Sequence, residues 1–557
     1  MPTTDWFLHG GTVLDGRGNT LPADVHIAAS RITAVVPRAQ PAPAPATTAA
    51  LPPPTAPAPP LPAPAAPPPP AQTAAAPVPS GARRLDCTGL LIAPGFIDAH
   101  THDDTAAFDP TCYEAKIRQG VTTSIVAQDG FGWAPLAPAH RDAFVRYWRP
   151  VNGQPTRPDG ETLLHDRLAG YLAAVHHHAG INVAALAGHV NLRLPQAGFD
   201  LRRLTPAELG RMAEALEAAL DDGAHGLSTG LTYIPARASD TAELLALTPR
   251  LARRGLPYVS HLRGYGADIF AATDEALTLA RETGCAVHLS HLHISAKAAW
   301  GRADELLDKL DRAIGDGLQV TWDLYPYQAG SSVLYQYLAP GMQDGGPEPF
   351  LRRLRAPGTA AALEADPAFA GADWSSYVIS HTASGRFVGQ TIAAMAAQSQ
   401  RPLAAAVVDL LVAEDLDVGV IVHQTREEDD DRFLLHRACV VGSDGIFASG
   451  RPHPRAYGAF ARFWRRFVHE RHLLSPAEAV RRMSTNAARL HGLRDRGEIR
   501  PGAVADLAVF DGDAFEDAAT YAQPRRPAVA MRHVFVNGQA VLLDCAFDAA
   551  VRAGEAL

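Results

Sequence analysis

From Pro94 onward, short apolar runs alternate with longer helical stretches, the pattern of βα units around a parallel sheet. The runs are Gly95 to His102, Val121 to Asp129, Ile181 to His189, Gly226 to Tyr233, Pro257 to Arg263, Ala286 to His293, Gln319 to Tyr325 and Cys439 to Asp444. Between them lie recognisable helix starts. Thr205-Pro206-Ala207-Glu208 and Ser475-Pro476-Ala477-Glu478 each supply an N-cap hydroxyl, Pro at the first helical position and Glu at the third. Asp240-Thr241-Ala242-Glu243 starts another helix, which Gly255 can close. Eight strands with intervening helices predict an α/β fold, a (β/α)8 TIM-like barrel, whose chemistry belongs at the carboxyl ends of the strands.

The first residues follow a different pattern. Trp6 to His9, Thr12 to Leu14, Val25 to Ile27 and Arg31 to Val36 read as short antiparallel strands, with Gly10-Gly11 as a turn. From Pro41 to Ser80 the chain is almost wholly Pro and Ala without one charged residue, a composition that cannot fold around a core. The β pattern resumes at Arg84 and returns after the barrel in Ala505 to Asp511 and His533 to Gly538. A small β-sandwich domain built from both termini is therefore expected, from residues 1–36, 81–94 and 490–557, with 37–80 a disordered insertion at a loop tip. The barrel is assigned to 95–489. Within it, 328–437 is too long for a simple crossover and reads as an inserted, lid-like subdomain on the active-site face.

A chain of 557 residues can bury one large core and a small one, and a net charge of -9 is mild at that length. No basic patch interleaved with aromatics points to nucleic acid, and no run of about 18 apolar residues points to a membrane span. Five scattered cysteines, never spaced C-x-x-C, indicate neither a disulfide framework nor a cysteine-only zinc site and suit a reducing, cytoplasmic setting.

The chemistry lies where the apolar runs end. His100 and His102 stand two apart at the end of the first run, so in a strand they point the same way and can reach one cation. Asp129 and Asp444 end the second and eighth runs, and His261 and His291 stand near the ends of the fifth and sixth. Imidazoles with one or two carboxylates suit Zn²⁺, as one ion or two, and leave room for a water.

The chain resembles the amidohydrolase superfamily and, within it, the N-acyl-D-amino-acid deacylase (D-aminoacylase) group. The residues that carry the resemblance are PGFIDAHTHDD (94–104), GVTTSIVAQDG (120–130), GHVNLR (188–193), GLSTGLTYIPA (226–236), SHLR (260–263), SHLH (290–293), DLYPYQAGSS (323–332), GSDG (442–445), RPHPR (451–455) and the stretch 496–511. The resemblance implies a zinc-dependent hydrolase of a linear amide, taking an N-acyl-D-amino acid to a carboxylate plus the D-amino acid. It implies tight metal binding by Asp129, His261 and His291, and a weaker or second position at His100 and His102. Asp444 is the expected proton carrier.

Two positions depart from the group. Asp129 stands where these deacylases commonly carry a bridging cysteine, and His293 where they often carry a lysine thought to hold the substrate carboxylate. Arg193, Arg263, Arg302 and Arg455 remain as carboxylate forks, and Tyr233, His293, Tyr325 and Ser331 as further substrate contacts. The expected partner is thus a small N-acylated amino acid, with neither nucleic acid nor membrane. An alternative is a hydantoinase-, dihydroorotase- or isoaspartyl-dipeptidase-like activity on a cyclic amide or dipeptide. Such relatives usually carry a carboxylated lysine on strand four, and Gly226 to Tyr233 contains none. A catalytically inactive scaffold would have lost ligands, yet all six positions hold ligand-competent side chains.

Overall fold

The structure is a computed structural model and describes residues 5–38 and 81–557. All eight expected barrel strands form. They are β1 (Phe96–Asp98), β2 (Val121–Val126), β3 (Asn182–Ala185, continued as Ala187–Gly188), β4 (Leu227–Gly230), β5 (Tyr258–His261), β6 (Val287–Leu289), β7 (Val320–Leu324) and β8 (Cys439–Val441). Neighbours along this order pair in parallel from β1 through to β8. The ring closes where the Ala99 N–H donates to the Val441 carbonyl at 3.3 Å and Thr101 bridges Gly445 in parallel.

The strands are apolar on both faces because both are covered. Every residue of β2 is buried. Inward residues, among them Ile97, Ile125, Ala184, Val259 and Val440, fill the barrel as one cluster, while the helices pack outside. The expected caps are present. Thr205 and Glu208 form a reciprocal capping box at the start of Pro206–Asp221, Asp240 caps Thr241–Arg254, and Gly255 ends that helix in the left-handed conformation.

Strands from both ends of the chain share one ten-stranded sheet. Leu91–Pro94 is its seam, paired with Thr12–Leu14 on one side and Leu507–Phe510 on the other. The two strands that flank the Pro/Ala tract, Arg31–Pro37 and Arg83–Asp86, both belong to this sheet. Pro37 is therefore part of a strand, and the expected disorder over the rest of 37–80 falls almost wholly on residues 39–80, outside the described ones. The last residues depart from the β assignment of 490–557. Ala556 bridges Val183, and the Leu557 N–H donates to the Val183 carbonyl at 3.0 Å, so the tail ends on barrel strand β3.

Between β7 and β8, Tyr377–Thr382 and Val418–His423 form strands. A third strand, Ala329–Val333, completes an antiparallel sheet with Val418–His423 in the middle. Its serine-rich sequence AGSSV lacks the β-branched run that marks a strand, and its pairing partner lies far along the chain. Among the described residues no helix is long and apolar enough to cross a membrane.

Candidate metal centre

All six side chains expected at the strand ends converge on one spot, with Asp129 at its middle. Its Oδ1 lies 3.6 Å from His100 Nε2 and 3.7 Å from His291 Nε2, and its Oδ2 lies 3.8 Å from His102 Nε2 and 3.5 Å from His261 Nδ1. Three sets of donor atoms are close enough to share an ion: Asp129 with His261 and His291, Asp129 with His100 and His102, and Asp444 with His100 and His291. Asp129 belongs to the first two, so it is the residue able to bridge.

The backbone reaches this arrangement by turning sharply just past the strands. Asp129, His291 and Asp444 all take positive φ, at 57°, 34° and 48°, a sparsely populated region for such residues and one that recurs at functional sites. Glycines make room for the Asp129 turn. A Cβ on Gly230 would stand 2.2 Å from the Asp129 carbonyl oxygen, and one on Gly188 would stand 2.7 Å from that of Gly130. The His100–His102 segment departs from the simple strand reading, because β1 already ends at Asp98. It is held instead to the exit of β8, where the Asp444 N–H donates to the His100 carbonyl (2.7 Å) and the His102 N–H to the Gly445 carbonyl (3.0 Å).

The donor set fits a divalent cation. His100 Nε2 and Asp129 Oδ1 are buried, face each other, and have no hydrogen-bond partner. His261 Nδ1 and His291 Nε2 lie 3.1 Å apart, lone pairs converging as metal ligands do. Buried polar atoms left in this way call for a partner. The far sides of the His261 and His100 rings are anchored. His261 Nε2 meets Thr232 Oγ1 at 2.8 Å.

Asp323, at the end of β7, backs the site from behind. Its Oδ2 accepts from His100 Nδ1 (3.2 Å) and His288 Nε2 (2.9 Å), and its Oδ1 from the His291 N–H (3.0 Å). Burial opposes its charge, yet His100 and His288 hold its carboxyl well below the usual range. The bond to Nδ1 leaves the His100 Nε2 lone pair free for a cation, the orienting role that carboxylates play behind metal-bound imidazoles. Asp323→Asn should therefore lower metal affinity by about 10–100-fold, measured by competition with a chromogenic chelator while the circular dichroism spectrum stays native. Sequence reasoning gave Asp323 no role because it sits behind a ligand 223 positions away. Lys116 was missed for the same reason. Its buried ammonium contacts Asp98 (2.5 Å), Thr101 (2.8 Å), Ser443 (3.0 Å) and Asp103 (3.1 Å), tying the His100 loop to the Asp444 loop.

Asp444 lies 3.5 Å from His102 Nε2 and 2.8 Å from Arg455 Nη2. Burial raises its pKa, but the Arg455 guanidinium, a hydrogen bond from His102 and further imidazoles outweigh this and keep it well below the ordinary carboxylate range. Arg455 is itself fully buried, packs 4.4 Å over the Tyr325 ring, and has three guanidinium nitrogens without an aligned acceptor.

The other expected substrate contacts divide. Tyr233, His293, Tyr325 and Ser331 line the cavity that opens onto the metal ligands. His293 donates through Nδ1 to the His291 carbonyl (2.5 Å), and burial pushes its pKa down to about 3. It is therefore a neutral ring and no replacement for a cationic lysine. Arg193, Arg263, Arg302 and Arg455 do not line the cavity, although Arg455 meets Asp444, which does. Arg193 is spent on Glu243 Oε2 (2.7 Å) and the Pro235 carbonyl (3.2 Å), Arg263 grips Glu275 with two nitrogens (2.9 and 3.0 Å), and Arg302 pairs with its helix neighbour Glu305 (2.7 Å). The inserted segment contributes wall residues that the sequence did not single out, Gly330, Ser332, Gln336, Tyr337 and Gln424.

A closed (β/α)8 barrel with four imidazoles and two carboxylates at its carboxyl mouth defines a metal-dependent hydrolase of the barrel type. The chain belongs to the amidohydrolase family, whose sequence model matches residues 83–542. It is 35% identical over 461 residues to an N-acyl-D-glutamate deacylase of Alcaligenes xylosoxydans xylosoxydans, covering 82% of this chain and 85% of that one. A D-aminoacylase of the same organism is 32% identical, over 83% and 87% of the two chains. The crystal structure of N-acyl-D-glutamate deacylase from Bordetella bronchiseptica, complexed with zinc and a phosphonate mimic of the tetrahedral intermediate, superposes with a TM-score of 0.78 at 30% identity. That match covers 100% of this chain and 99% of the other.

Proposed function

We propose that the protein is a zinc-dependent deacylase that hydrolyses N-acyl-D-amino acids to a carboxylate and the free D-amino acid. The observation that carries this reading is the joint approach of Asp129 to four imidazoles and of Asp444 to the same spot, with Asp444 held ionised by Arg455. The ligands are Asp129, His261 and His291 for the tighter position and His100 and His102 for the second. When bound, zinc lowers the pKa of water towards about 7 and polarises the scissile carbonyl.

The protein's own groups do the rest. Asp444, ionised at neutral pH, accepts the proton of the attacking water and delivers it to the amide nitrogen, which must be protonated to leave. Arg455, buried against Asp444, holds that carboxylate ionised and in place. Tyr233, Tyr325, Ser331 and His293 shape the space around the amide, and the inserted sheet acts as a lid that keeps water away from it. The deacylase relatives support the substrate class.

The test is a screen of purified, metal-analysed protein against N-acetyl-D- and N-acetyl-L-amino acids. Turnover confined to the D series is expected. A preference for L substrates, or activity only on cyclic amides, would replace this reading.

A further inference from the structure

We propose that Lys116 is a positioning residue for the hydrolysis, whose ammonium clamps the loop of Asp444 onto the loop of His100 and His102 so that Asp444 stands where it can move a proton. This rests on the deacylase reading above and on the role given there to Asp444. Lys116 lies on the helix Pro110–Ile117 and is only 1% exposed. Its Nζ meets Asp98, Thr101, Asp103 and Ser443. Each of these stands within two residues of His100, His102 or Asp444 in the chain. One charge thus joins both loops from behind. Ser443 completes the clamp: its N–H and Oγ donate to Asp98 Oδ1 (2.8 Å) and Oδ2 (2.5 Å), and its Oγ accepts from the Gly445 N–H (3.1 Å).

Asp444 needs such a clamp because of its backbone. Its φ of 48° is one that a non-glycine residue keeps only where the surroundings over-determine it. The two loops are also pressed together without side chains between them. A Cβ on Gly445 would stand 2.9 Å from Ser443 Oγ, 3.2 Å from Thr101 Oγ1 and 3.4 Å from Lys116 Nζ, and one on Gly442 would stand 2.8 Å from both Asp323 Oδ1 and His100 Cβ. Without the ammonium, Asp98 and Asp103 become two buried carboxylates with no cation between them, which drives their segments apart. The bond from the Asp444 N–H to the His100 carbonyl, and with it the 3.5 Å approach of Asp444 Oδ1 to His102 Nε2, then loses its support. A shift of about 1 Å at a reacting group can cost about 100-fold in rate. Asp129, His261 and His291 come from the ends of β2, β5 and β6, and the Lys116 ammonium contacts none of the three. Their grip on a metal should survive its loss.

The experiment measures kcat, KM and zinc content of the full-length, metal-loaded enzyme on the N-acetyl-D-amino acid turned over fastest in the screen above, for Lys116→Met, Asp444→Asn and the double variant. Methionine keeps the length of the stem and drops the charge. We expect kcat of Lys116→Met to fall about 100-fold with KM little changed and zinc retained. In the Asp444→Asn background the same substitution should cost less than about threefold more, because groups that act as a unit are not additive. An unchanged kcat, zinc lost in step with turnover, or the same loss in both backgrounds would overturn the inference and leave the deacylase reading standing. If Lys116→Met does not fold, Ser443→Ala decides, since it spares the ammonium and its carboxylates and cuts only the tie to the Asp444 loop. Its kcat should fall about tenfold, the worth of a hydrogen bond to a charged group, and an unchanged kcat would overturn the inference. Inactivity of the unsubstituted enzyme on every N-acetyl-D-amino acid would overturn the deacylase reading, and this inference with it.

Discussion

Asp444→Asn should leave a folded, metal-containing protein whose turnover falls about a thousandfold, within the 10²–10⁴ range of a lost general acid–base group. The substitution keeps the shape and an oxygen for Arg455 Nη2, now 2.8 Å from the carboxylate, but an amide cannot take a proton from water. Asp129, His261 and His291 stay together without Asp444, so metal content should hold. The Arg455 charge loses its partner in a buried site, so thermal stability should drop as well, by up to about 3–5 kcal/mol. Metal analysis, a melting curve and kcat on one preparation check all three. Residual turnover above about a tenth of wild type would remove Asp444 from proton transfer.

Asp129→Ala should have the opposite signature, with metal and activity lost together. Asp129 is the one residue common to the set with His261 and His291 and the set with His100 and His102. Its carboxylate also draws these imidazoles inward, and burial's resistance to its charge is overcome by them, with His261 first. We expect metal affinity to fall by more than the roughly 10–100-fold seen when only an outer partner of a ligand is removed. Zinc should then be retained far below one ion per chain after dialysis against a weak chelator. Asp129→Cys supplies a control, since a thiolate is also a good zinc ligand. It should recover metal. An alanine variant that keeps its zinc would show that the imidazoles suffice, and Asp129 would lose its bridging role.

These two residues were legible for different reasons. Asp129 and Asp444 end apolar runs, and the periodicity that places a strand also places whatever follows it at the barrel mouth. The eight strands could be read because parallel strands buried on both faces must be continuously apolar, and the helix caps because capping is a contact across three residues. The β domain could be read from its turns, although its tail turned out to pair with β3 at Val183.

The arginines were not legible. Arg193, Arg263 and Arg455 look alike in a string of letters, and what separates them is which carboxylate each meets: Glu243, Glu275 or Asp444. The roles of Asp323 and Lys116 were hidden in the same way. Lys116 is bound to Asp98 and Asp103, away from the ligand atoms.

By itself, then, the amino-acid order determined the barrel, the β domain joined from both termini, and the six side chains at the strand ends, because all of these are written in periods of two to four residues or in runs of one strand's length. Tertiary structure alone decided which of the six share Asp129, which arginine meets Asp444, and what orients His100. Those facts depend on distances between residues hundreds of positions apart, which the closing of the barrel and the folding of the inserted sheet over its mouth create and no local pattern records.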